Sequence, residues 1–161
     1  MQETILRADL LKRLERRLSK RPVVALLGAR QVGKTTLARN HASGVDGEIS
    51  FFDLERPSDH AALSANPEQI LSQAEGLVVI DEVQRMPELF TLLRPLVDSP
   101  ERKAQFLLLG SASWDLVKGI SETLGADRVH QCRGLLSGGG GCRGAKEALA
   151  ARRISRSVSG G

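Results

Sequence analysis

Tyrosine is absent from the chain and aromatic residues make up only 3% of it, which leaves few flat surfaces on which unpaired bases could stack. A single-strand nucleic-acid binder is therefore disfavoured. No apolar run approaches the ~20 residues a membrane-spanning helix needs, and the N-terminus carries charges where a secretory leader would be apolar. The expected compartment is the cytoplasm, with no membrane partner. Cysteine occurs only at Cys132 and Cys142, too sparsely for a disulfide framework or a metal cluster. What remains is a globular balance of 41% hydrophobic and 26% charged residues in 161 positions, enough for one core and too few for two ordinary domains.

The net charge of +4 suggests a polyanion partner until the charges are placed along the chain. Residues 125–161 hold seven basic side chains against Asp127 and Glu147, so the rest carries sixteen basic and seventeen acidic residues. The body is nearly neutral. The same tail contains both cysteines and nine of the sixteen glycines, including the run Gly138 to Gly141.

Within the body, Ile5 to Ser19 spaces its apolar residues as an amphipathic helix does. Four short apolar runs read as buried strands: Val23 to Leu27, Ile49 to Leu54, Leu77 to Ile80 and Phe106 to Leu109. Helical stretches separate them at Lys34 to His41, Ser58 to Leu63, Pro67 to Ala74 and Pro87 to Val97. Such alternation predicts an α/β three-layer sandwich with a mostly parallel sheet, whose strand C-termini share the edge where ligands bind.

Three strand ends carry polar groups suited to chemistry there. Gly28-Ala29-Arg30-Gln31-Val32-Gly33-Lys34-Thr35 matches G-x-x-x-x-G-K-[ST] and lies between a predicted strand and a predicted helix. Chance places those four residues correctly in well under about 1% of chains this long. In such a loop successive N–H groups form a concave anion site, and the helix start adds its own unpaired donors. Lys34 would reach the β- and γ-phosphates of ATP, Thr35 would ligate Mg²⁺, and Thr36 would lie near the α-phosphate. Leu77 to Ile80 runs into Asp81 and Glu82, one suited to the metal's shell and the other to activating an attacking water. Ser111 or Ser113, after the fourth strand, could donate to the γ-phosphate or serve as a plain turn serine. Asp53 and Glu55 read as capping or solvated acids, and Arg30, Arg85 and Arg94 as solvated cations.

The run from Val24 to Leu37, including GARQVGKTTL, resembles the prokaryotic AAA-like P-loop ATPases. Val79 to Leu89, Leu109 to Ser113 and Ser121 to Leu124 are similar to that family's later segments. The resemblance implies an AAA-type sheet in which the fourth strand lies between the first and third, with a fifth flanking the first. It also implies Mg²⁺-dependent ATP hydrolysis: Lys34 and Thr35 as phosphate and metal contacts, Asp81 as the metal-shell acid, Glu82 as the catalytic acid and Ser111 as a sensor. By the same analogy the chain would form a homo-oligomer. Family members continue into a lid and a C-terminal domain, so an alternative expectation is a nucleotide-binding, inactive fragment of a longer ATPase.

Composition changes after Leu124, where the resemblance stops, and this predicts a shifted reading frame from there. Codons for Gly125 to His130, read from the second base, permit Ala-Arg-Ile-Ala-Phe, similar to the family's continuation, and residues 135–140 permit a second match. On this reading the sheet is incomplete at the C-terminus and Val23 to Leu27 forms an exposed apolar edge. Residues 125–161 would be largely disordered apart from a short helix near Ala145 to Arg152.

Overall fold

The computed structural model describes residues 2–111, 113–124, 129–131 and 143–144. In chain order these are α1 (Gln2–Leu18), β1 (Val23–Gly28), α2 (Lys34–Ala42), β2 (Ile49–Asp53), α3 (Pro57–Ala65), α4 (Pro67–Gln73), β3 (Gly76–Asp81), a 3₁₀ turn (Val83–Arg85), α5 (Leu89–Asp98), β4 (Ala104–Ser111), α6 (Trp114–Leu124), β5 (Val129–Gln131) and β6 (Arg143–Gly144). The sheet runs β2-β3-β4-β1-β5-β6. Its first four pairings are parallel, and β6 alone runs antiparallel, against β5. This is the strand order that the resemblance implies.

Alternation within the strands divides the core in two. Val24, Leu26, Leu77, Val79, Leu107 and Leu109 pack toward Leu10, Leu14 and Leu18 of α1 and Leu37 and Ala38 of α2. Val23, Ala25, Leu27, Val78, Ile80, Phe106 and Leu108 point the other way, toward apolar residues of α3 to α6. Strands apolar at every position suit this arrangement because both their faces are covered. Burying each such side chain contributes about 1.5–3 kcal/mol. Sandwiched this way, β1, β3 and β4 form a rigid support for the loops at their C-terminal ends.

The helix starts follow local chemistry. Pro57 and Pro67 open α3 and α4, and the Asn66 side chain accepts from the Gln69 N–H as the α4 cap. Pro87 lies outside α5, which begins at Leu89; its carbonyl accepts from the Phe90 N–H at 3.2 Å. Helix α6 is an element that reading the sequence did not supply, although Leu116, Ile120 and Leu124, all buried, have helical spacing.

The expected exposed edge at β1 is overturned. Strand β5 pairs with β1 in parallel, placing Ala25 opposite Val129, Leu26 opposite His130 and Leu27 opposite Gln131. The physical reason is that a ladder is made by backbone N–H and C=O groups, so a three-residue stretch needs no particular side chains to join it. Helix α6 supplies the crossover from β4 to that position. The disorder expected for most of residues 125–161, and the short helix near Ala145 to Arg152, lie outside the described residues. Among the described residues no helix is long and apolar enough to cross a membrane.

Candidate functional site

Strand order brings three distant segments together. Strand β4 lies between β1 and β3, and Gly28 at the end of β1 stands opposite Ser111 at the end of β4. The Gly28 to Thr36 loop, the Asp81-Glu82 pair and Ser111 thus share one edge of the sheet.

The loop turns through two left-handed residues, Gln31 at φ 61° and Gly33 at φ 86°. A side chain at Gly33 would meet nothing within 4 Å, so it is the backbone conformation rather than crowding that favours glycine there. Changes of backbone handedness of this kind make the concave N–H surfaces that hold anions. Gly33 is also the residue from which α2 starts, and its carbonyl accepts from the Leu37 N–H at 2.9 Å. Lys34 follows, 5% exposed, and its Nζ donates to the carbonyls of Gly28 at 3.2 Å and Ala29 at 2.8 Å. Burial pushes the Lys34 ammonium below the usual lysine value; the Glu82 and Asp81 carboxylates pull it back up, and Arg30 pushes it down. A cation that is partly desolvated and faces two acids is suited to meeting phosphate.

Thr35 and Asp81 meet across the edge. The Thr35 hydroxyl donates to Asp81 Oδ2 at 2.6 Å, while Asp81 Oδ1 accepts from the Glu82 N–H at 2.9 Å. Both oxygens of this carboxylate, 4% exposed, are therefore satisfied. Glu82 has left-handed backbone geometry, φ 55° and ψ 43°, unusual outside glycine and asparagine. Its Oε2 accepts from the Gln84 amide, whose Oε1 accepts from the Ser111 N–H at 3.4 Å. Ser113 takes the structural part of its two expectations: its Oγ accepts from the Leu116 N–H at 3.4 Å in the first turn of α6.

At the rim, Arg30 and Arg85 converge on Oε1 of Glu55 at 3.0 and 3.4 Å. All three are substantially exposed, which limits each pair to about 0–1 kcal/mol. Asp53 accepts from the Glu55 N–H at 3.0 Å and pairs with Arg56, as a turn-forming acid does. The link from Arg30 to Glu55 and the two contacts of Gln84 were not legible in the sequence, since nothing in the spacing of a glutamine or a loop acid marks its partner. Thr36 and Val32 line a cavity of about 190 Å³ with Ala8, Leu11, Leu37 and Asn40, beside the loop.

The oxygen donors present suit a small hard cation. Thr35 and Asp81 offer a hydroxyl and a carboxylate, and no group of three or more His, Cys, Asp or Glu able to hold a metal occurs among the described residues. A hydroxyl and a carboxylate are donors that a hard cation such as Mg²⁺ accepts.

The profile of a family described as AAA domain matches residues 20–133. The chain is 51% identical over 124 residues to the uncharacterized proteins Rv2008c of Mycobacterium tuberculosis and Mb2031c of Mycobacterium bovis. That alignment covers 77% of the chain and 27% of either relative, so the chain spans about a quarter of their length. Among solved structures, the Walker-type ATPase PABY2304 of Pyrococcus abyssi superposes with a TM-score of 0.55 at 19% identity, over 79% of this chain and 53% of that one. The fold is that of the α/β P-loop NTPases.

Proposed function

The chain belongs to the AAA domain family, and from that membership we propose that it binds ATP with Mg²⁺ at the Gly28 to Thr36 loop and hydrolyses it. The observation that carries this reading is the meeting of Lys34, Thr35, Asp81 and Glu82 at the ends of β1 and β3. Each has the chemistry that phosphoryl transfer to water requires.

Lys34 exchanges the two loop carbonyls for oxygens of the β- and γ-phosphates, so that the acceptor as well as the donor is charged. Thr35 and Asp81 are the residues that would hold magnesium. When bound, that ion neutralises phosphate charge as a Lewis acid. Glu82 orients a water and takes its proton as the water oxygen bonds to the γ-phosphorus. The bond from that phosphorus to the β–γ bridging oxygen breaks, releasing ADP and inorganic phosphate. Ser111, opposite Gly28 at the end of β4, would serve as a sensor of the γ-phosphate. The protein would act in the cytoplasm, as a homo-oligomer.

Calorimetry with Mg-ATP tests the binding half. Lys34→Ala should remove most of the affinity, and equal affinity in wild type and variant would sink the assignment. Glu82→Gln tests the chemical half, because it should spare binding while lowering phosphate release; parallel loss of both would make Glu82 structural. Residues after Leu124 would on this proposal come from a shifted reading frame. Sequencing the gene tests it, and an early stop or no similarity to the family in the shifted frame refutes it.

A further inference from the structure

Gln84 sits between the two strand ends that flank the proposed reaction site, and its amide uses both of its ends. The Nε2 group donates to Glu82 Oε2, and Oε1 accepts from the backbone N–H of Ser111. Reversing the amide would set a carbonyl against a carboxylate and an NH₂ against an N–H, so only one orientation satisfies both partners. Glu82 in turn is fixed from behind by its left-handed backbone and by its N–H bond to Asp81. Among the described residues the one hydrogen bond to its carboxylate is the one that Oε2 accepts from Gln84.

The backbone of β4 is shaped to admit this side chain. A Cβ on Gly110 would stand 2.9 Å from Gln84 Oε1, 2.8 Å from Leu116 Cδ2 and 3.3 Å from Val83 Cγ1. Gly110 is therefore the gap through which the amide reaches Ser111. We propose that Gln84 is a positioning residue for ATP hydrolysis, holding the Glu82 carboxylate in register with the end of β4 so that its second oxygen meets the attacking water. The proposal rests on the reading of Glu82 as the acid that activates that water. Gln84 itself touches neither nucleotide nor water in this scheme.

The test compares wild type with Gln84→Met, which keeps the length and bulk of the side chain and deletes only the amide. Single-turnover phosphate release and ATP affinity are measured for both, for Glu82→Gln, and for the double variant. Losing a hydrogen bond to a charged group should lower the rate about tenfold to a hundredfold. ATP affinity and KM should stay within about twofold of wild type, because a positioning residue acts on the chemical step alone. Adding Gln84→Met to Glu82→Gln should cost nothing further, since its effect passes through the carboxylate already removed. A wild-type rate in Gln84→Met, or losses that multiply in the double variant, overturns the proposal. Gly110→Ala approaches from the other side by displacing the amide. If Gln84→Met fails to bind ATP, a wild-type rate in Gly110→Ala overturns the proposal equally. A wild type that binds Mg-ATP and releases no phosphate refutes the hydrolysis reading itself, a result distinct from a wild type and Gln84→Met that turn over alike.

Discussion

Replacing Asp81 with asparagine separates the metal's contribution from the fold's. In the protein Oδ1 accepts from the Glu82 N–H at 2.9 Å and Oδ2 from the Thr35 hydroxyl at 2.6 Å. Asparagine keeps an oxygen for the first, and its NH₂ can donate to the hydroxyl oxygen in the second, so both contacts survive in neutral form. Each weakens by about 1 kcal/mol on losing its charge, while relief from burying a carboxylate offsets much of that. Asp81→Asn should therefore unfold within about 1 kcal/mol of wild type. Its response to metal should differ far more. An anionic oxygen interacts with a hydrated dication about 1.5–3 kcal/mol better than a neutral one, which is about tenfold to 150-fold in affinity. Titrating ATP by calorimetry, once with Mg²⁺ and once with chelator, gives the gain due to metal in each protein. That gain should shrink by this factor in Asp81→Asn, while affinity in chelator should hold or rise, since a carboxylate beside the anion site is neutralised. An equal gain in both proteins would refute the assignment of Asp81 to the metal. Asp81→Ala, which strands the Glu82 N–H as well, should lose a further 1–3 kcal/mol or so of stability.

His41 is buried near the C-terminal end of α2, and burial lowers its pKa below 6.5 while Glu15 pulls the other way. With the folded value below the unfolded one, the unfolded chain binds the extra proton between them. Stability should fall as pH drops from 6.5 to the folded value, by at most about 1.4 kcal/mol per pH unit, and no further below it. Denaturant unfolding of wild type and His41→Gln at pH 7.5 and 5.5 checks this, and identical pH slopes would count against it. Gly76→Ala should destabilise by about 2–3 kcal/mol. Its φ of 67° is left-handed, and the new Cβ would lie 2.1 Å from the Glu48 carbonyl that accepts from the Leu77 N–H. A urea midpoint unchanged from wild type would contradict the clash.

Much of this was legible because apolar continuity and glycine placement act locally. The strands at Val23, Ile49, Leu77 and Phe106 declare themselves through runs that can be covered on both faces, and the Gly28 to Thr36 loop through fixed spacing before a helix. Helix boundaries were read less well where proline stands before the first turn, as Pro87 does. Helix α6 was readable from Leu116, Ile120 and Leu124, but its neighbouring serines and glycines hid the period. Strand β5 was not readable from side-chain pattern, since its place depends on backbone pairing with β1 and on the crossover that α6 completes. Gln84 belongs to the same class. Its importance comes from Ser111, twenty-seven positions away, and only the pairing of strands brings them together.

Threading β1 between β4 and β5 also sets the order in which a newly made chain can close its sheet. Val23 waits for Phe106, its partner in β4, about 80 residues later in synthesis, and Leu27 for Gln131 in β5. At ordinary translation rates the first interval lasts roughly 4–16 s. Over that interval a six-residue apolar strand has neither neighbour, and β3, once made, has β2 to pair with. The strand that ends at the Gly28 to Thr36 loop thus stays uncovered at both edges until β4 is made, and Gly28 meets Ser111 only then.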